Sequence, residues 1–140
     1  MGKKEETKKS SEKKQVSGEL CVRTLAMPGD TNPNGDIFGG WVLSQMDIAG
    51  GIFSGKHCHG RTVTVAIESM TFLKPVLVGD VLCCYCDLIK EGNSSITLKI
   101  EAWTIRRFET ERVLVTEGVF TYVAVDEERR PRSIHSFSTK

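Results

Sequence analysis

A chain of 140 residues is long enough for one domain with its own core and too short for two. Its 19 basic and 18 acidic residues nearly cancel, so there is no overall field to attract nucleic acid or an anionic membrane. No apolar run approaches the roughly 20 residues that span a bilayer, and the N-terminus lacks a signal-peptide core; a cytoplasmic protein is expected.

Residues 1–18 hold six lysines and three glutamates with almost nothing apolar. Such a segment buries too little surface to offset its ordering entropy, so a disordered Lys-rich tail is expected there. Residues 19–26 (ELCVRTLA) read as a first strand, broken by Pro28, Gly29 and Asp30. A loop through Asn34-Gly35 then leads to a helix that starts at Gly39 or Gly40 and fades at Gly55. From Arg61 the period changes to alternation, with Val63, Val65, Ile67 and Ser69 on one side and Thr64, Ala66, Glu68 and Met70 on the other. In that reading Glu68 lies on the sheet beside the helix. Strands are expected to follow over 81–90, 95–104 and 112–125, the first two joined by a hairpin at Glu91-Gly92-Asn93-Ser94. Residues 127–140 lose pattern and read as a C-terminal tail. Residues 19–126 are then one α+β domain, an antiparallel sheet of about five strands with one long helix. One helix cannot cover both faces of that sheet, and an edge strand also wants a partner, so a homo-oligomer is expected.

The helix is apolar nearly all round, which predicts burial, yet it carries Asp47 in its middle. Gly40, Ser44, Asp47 and Gly51 step by four, three and four, and so share one face with almost no side-chain bulk. Two readings fit. Either something other than protein occupies the bare face, or the glycines permit close packing and Asp47 bonds a neighbouring backbone. The five cysteines, Cys21, Cys58, Cys83, Cys84 and Cys86, are odd in number and contain no C-x-x-C pair. They read as small hydrophobes kept reduced. His57-Cys58-His59 lacks distant partner ligands, and no metal site is expected.

The strings AMPGDTNPNGDIFGGW, LSQMD, VTVAIESMTFLKPVLVGD and VFTYVAVD, taken with the topology, resemble the hotdog-fold acyl-CoA thioesterases, most closely the YciA-like bacterial family. The resemblance covers roughly residues 18–126. It implies a helix wrapped by a curved antiparallel sheet, a dimer with a continuous sheet and interfacial active sites, and a trimer of dimers. It implies that Asp47 is the catalytic carboxylate, that Asn32 enters the site from the partner chain, and that the Gly39 and Gly40 amides hold the thioester carbonyl oxygen. Many relatives carry His just before the paired glycines, where this chain has Phe38, so no imidazole role is assigned there.

The chemistry fits these residue types. Free N–H groups at a helix start stabilise a developing oxyanion. Asp47 can act as a general base on water or attack directly to give a mixed anhydride. Asn32 suits positioning water but equally suits bonding its own turn, and Ser44 either lines the pocket or bonds back to its helix. The phosphates of coenzyme A, here part of the substrate and not a cofactor, call for positive charge. Arg61 and Lys90, with Ser95, are the favoured contacts, and the Arg106-Arg107 pair is a further candidate. Trp41, Met70 and Phe72 fit an acyl pocket or a core equally well. The expected activity is hydrolysis of acyl-CoA to a free fatty acid and coenzyme A. The alternatives are a non-catalytic acyl-CoA-binding module and a hydratase or dehydratase. The latter needs a His paired with a carboxylate, and His57, His59 and His135 all fall outside the helix centre.

Overall fold

A computed structural model describes residues 15–136. The elements are β1 (Glu19–Leu25), a short 3-10 turn (Pro28–Asp30), α1 (Gly39–Cys58), β2 (Thr62–Phe72), β3 (Val81–Glu91), β4 (Ser95–Ile105) and β5 (Arg112–Ala124). All five strands form one sheet in the order β1-β3-β4-β5-β2, with every neighbouring pair antiparallel. The single long helix packs on one face, as the hotdog resemblance implies. No helix of the described residues is long and apolar enough to cross a membrane.

The helix runs three residues past Gly55. Cys58 is fully buried, and tertiary packing of that last turn outweighs the weak helix preference of Gly55. His59 closes it in the left-handed conformation (φ 55°), its N–H reaching the Gly55 carbonyl. The buried stripe is Val42, Met46, Ala49, Gly50, Ser54 and Cys58, one face at helical spacing. It lies on the inward residues of the sheet, among them Cys84, Cys86, Leu98, Ile100 and Phe120. The opposite face stays open in the single chain: Ile48 is 51% and Ile52 41% exposed. Burial all round, expected from the helix's composition, therefore needs a second molecule.

Strand β2 is an edge and does not keep simple alternation. Thr64 pairs with Tyr122 but Ala66 pairs with Thr121, so two residues of β2 oppose one of β5, a bulge at Val65. Cross-strand partners share a face, so beyond the bulge Ile67 turns inward with Phe120, and Glu68 turns outward with Val119. Glu68 thus lies on the face away from the helix, contrary to the sequence expectation. A second irregularity follows between Glu68 and Thr71, where Ser69 takes φ 58°.

Both flanks of the sheet domain, as far as the described residues reach, are more engaged than their composition suggests. Residues 1–14 of the expected disordered tail lie outside the described residues, but Val16 packs against the outer-face cluster of Cys83, Tyr85 and Trp103. There the buried Glu101 accepts from Trp103 Nε1 at 2.9 Å and from Ser17 N at 3.1 Å. The segment after Asp126, patternless as a sequence, turns back onto the core as far as Ser136. Ile134 is 1% exposed, and Arg132 donates to the carbonyls of Val125, Cys58, Ser133 and Ser136. One Arg side chain thereby ties this segment to the end of α1. Arg132→Ala is expected to cost about 2 kcal/mol, because charge-assisted bonds to backbone are each worth more than neutral ones. Thermal denaturation checks this as a fall of several degrees in Tm.

Candidate active site

Asp47 sits in the third turn of α1, half-buried and facing β2 and β5. Its Oδ1 accepts from Thr64 Oγ1 at 2.7 Å and from the Tyr122 hydroxyl at 2.8 Å. The same hydroxyl lies 3.0 Å from the Asp47 carbonyl oxygen. Thr64 and Tyr122 are cross-strand partners, so two inward side chains of one register pair converge on one carboxylate oxygen. The Tyr122 ring is buried, and its pKa is raised, by burial first and then by the hydrogen bond and charge of Asp47. The phenol therefore stays protonated and remains a donor.

Room for that hydroxyl comes from Gly50. A Cβ there would stand 2.0 Å from Tyr122 Oη. Gly40 and Gly51 are different: a Cβ on either would meet nothing within 4 Å. Of the two sequence readings of the bare face, open space fits Gly40 and Gly51, and close packing belongs to Gly50. Ser44 is exposed, with Oγ donating to the Trp41 carbonyl at 2.7 Å, which is the helix back-bond allowed for it.

At the start of α1 no side chain caps the helix, and the Gly39 and Gly40 amides have no carbonyl one turn earlier to bond. A Cβ on Gly39 would only touch the Phe72 ring at 3.5 Å. A cleft of about 380 Å³ opens here, lined by Asn32, Ile37, Gly39, Val42, Phe72 and Val76. Asn32 Oδ1 accepts from the backbone N–H groups of Asn34 and Asp36, so its carbonyl holds the loop together, as the turn reading has it. Asp47 lies seven residues beyond Gly40, about 10 Å along the helix axis. Gly39, Gly40, Ser44 and Asp47 thus share one helix within a single chain, and Asn32 stands at its N-terminal end.

The expected coenzyme A contacts gather elsewhere. Arg61 precedes β2, Ser95 opens β4 opposite Val123, and Lys90 lies in β3 opposite Thr97. All three are at the sheet end near the C-terminus of α1. Arg61 is exposed and lines a second cleft of about 470 Å³ with His59, Asp126 and Arg132. Arg106, by contrast, is engaged by the buried Asp80 carboxylate at 2.5 Å and by the Pro75 carbonyl. The two flanking histidines do not converge with Cys58, which is buried while His57 meets Glu91 at 2.5 Å. Among the described residues no group of three or more His, Cys, Asp or Glu side chains is arranged to hold a metal ion.

Residues 34–107, the span holding the helix, Asp47 and Thr64, match the thioesterase superfamily model. The chain belongs to the thioesterase superfamily. It is 54% identical over 121 residues to the acyl-CoA thioester hydrolase YciA of Salmonella typhimurium, covering 84% of this chain and 90% of that one. Among solved structures it is similar to the hexameric thioesterase y2039 from Yersinia pestis (57% identity, TM-score 0.83, 88% of this chain and all of that one). It is equally similar to HI0827, a hexameric broad-specificity acyl-coenzyme A thioesterase solved as an aspartate-to-alanine variant (55% identity, TM-score 0.82, covering 84% and 87%). Within this thioesterase, Thr64, Tyr122 and Gly50 are the site residues that sequence reasoning missed. One signal pointed to Tyr122, a polar side chain between Phe120 and Ala124 on a strand face otherwise turned to the core; nothing in the alternation of β2 singled out Thr64.

Proposed function

We propose that this thioesterase hydrolyses the thioester of acyl-CoA to a free fatty acid and coenzyme A. The observation that carries the reading is the Asp47 carboxylate, held by two donors on Oδ1 and set on a helix face that leaves open space at Gly40 and Gly51. Asp47 acts as general base on water or as the nucleophile. The Gly39 and Gly40 amides receive the oxyanion, and a thiolate leaves without need of a resident cofactor. Ser44, on the same face, borders the acyl group. Arg61, Lys90 and Ser95 meet the coenzyme A phosphates. A hydratase would need an imidazole beside the carboxylate. His57 is ten residues further along the helix, about 15 Å by rise.

Asn32 is proposed to enter the site from a second chain, in a dimer whose sheet continues across the two β2 edges and which assembles as a trimer of dimers. What supports this is the apolar side chains left open on β2 and α1, Val65 at 54% exposure and Ile48 and Ile52 likewise exposed. The hexameric assembly of relatives supports an oligomer. A cytoplasmic setting is supported by the free cysteines.

Two measurements test the proposal. Release of thiol from butyryl-CoA and palmitoyl-CoA by the wild-type protein is the expected result; hydration of enoyl-CoA without thiol release would sink it. The double variant Val65→Lys/Ile52→Lys is expected to sediment or scatter as single chains with at least a 100-fold loss of turnover, since buried unpaired charge is incompatible with an interface core. Retention of the wild-type mass and turnover would remove the edge from the interface.

A further inference from the structure

We propose that Tyr122 is a positioning residue for hydrolysis, fixing Asp47 so that Oδ2 is the oxygen presented to water or the thioester. The inference rests on the reading of Asp47 as the reacting carboxylate. Three observations converge on it. Both side-chain donors, Tyr122 and Thr64, meet Oδ1, and Oδ2 takes no hydrogen bond among the described residues. The phenol spans the Asp47 carbonyl oxygen and Oδ1, at 3.0 and 2.8 Å, so it gauges the side chain against its own backbone. It is also 1% exposed and seated in the space that Gly50 leaves by lacking a Cβ, so the ring has little freedom to follow the carboxylate if it swings.

A carboxylate on a helix has two side-chain rotors, and each populated rotamer other than the reactive one lowers the fraction of time spent in attack geometry. Thr64 supplies the second donor, from β2 beside the Val65 bulge, and Tyr122 comes from β5, paired on both sides by β4 and β2. With Oδ1 engaged by two donors, Oδ2 is the carboxylate oxygen left for water or the thioester, and the helix face of Asp47 also carries Gly40 and Gly51, where a Cβ would meet nothing within 4 Å. That side is where an acyl group has room.

Tyr122→Phe deletes the hydroxyl and keeps the ring. The expected result, on protein verified as folded at the assay temperature, is a fall in kcat of roughly 10- to 100-fold with KM unchanged within about twofold, because orientation and not binding is lost. A merely structural role would lower Tm and leave that split unmoved. In an Asp47→Asn background the same substitution is expected to cost nothing more, since its effect passes through the carboxylate. Wild-type kcat in Tyr122→Phe, with Asp47→Asn inactive, overturns this inference alone; full activity of Asp47→Asn overturns the reading beneath it. A loss of the same size in both backgrounds would assign Tyr122 a role independent of Asp47 and also overturns the inference. If Tyr122→Phe does not fold, the protein's two tyrosines are replaced by 3-fluorotyrosine, and the Tyr122 fluorine resonance is expected to move on Asp47→Asn. An unmoved resonance overturns the proposal.

Discussion

Asp47→Asn is expected to lower kcat for thiol release from acyl-CoA by about 1,000-fold, within the span that removal of a general base or nucleophile commands. The substitution is close to isosteric. An Asn Oδ1 can still accept from Thr64 and Tyr122, so the helix face, the open space at Gly40 and Gly51 and the fold are retained. What disappears is the capacity of Oδ2 to take a proton from water or to form a bond to carbon. Asp47→Ala removes the acceptor as well and leaves the buried Tyr122 hydroxyl with only the Asp47-position carbonyl, so it is expected to be as inactive and also less stable, by about 1–2 kcal/mol. Steady-state thiol release and thermal denaturation of the two variants separate these effects. Undiminished turnover in both would take Asp47 out of the chemistry.

Gly50→Ala is the substitution with the largest expected effect on stability. The new methyl would need to stand 2.0 Å from the Tyr122 oxygen and 2.5 Å from its ring carbon, in a core where Phe120 stacks against that same ring. Neither the ring nor the helix can yield without breaking the bond to Asp47. Overpacking of this kind costs about 1–3 kcal/mol, and loss of the buried hydrogen bond adds about 1 kcal/mol or more. A destabilisation of about 3 kcal/mol is expected in urea unfolding, with activity falling in parallel. The neighbouring Gly51→Ala meets nothing within 4 Å, and Ala is the better helix former by nearly 1 kcal/mol. It is expected to leave stability unreduced. Equal losses from the two substitutions would refute this account of the glycines.

Those two adjacent glycines mark how far the sequence could be read. The helix, its N-terminal Gly-Gly and the place of Asp47 follow from turn residues leading into a long apolar run and from the one ionisable residue in its middle. The five strands follow from alternation and turn residues. The face shared by Gly40, Ser44, Asp47 and Gly51 is plain helical arithmetic. Arithmetic cannot tell which glycine has a tyrosine behind it, because the contact joins Gly50 in the helix to Tyr122 in the last strand. The bulge at Val65 was equally hidden. The letters keep alternating through Val63, Val65 and Ile67, and only the pairing with β5 reveals that one residue is extra and that Glu68 has changed sides. Ile134 had no periodic neighbours to mark it as core; its burial depends on Arg132 finding the helix end.

The cysteines carry a consequence for a reaction whose product is itself a thiol. Burial pushes Cys84 up to about 12 and Cys86 higher, and raises Cys21 and Cys58 as well; Cys83 is buried beside Arg23. Disulfide exchange proceeds through thiolates with access to their target, and Cys58, Cys84 and Cys86, fully buried with raised pKa values, offer neither. Released coenzyme A therefore does not become tethered to these three, and a chromogenic disulfide reagent added during turnover leaves them unlabelled.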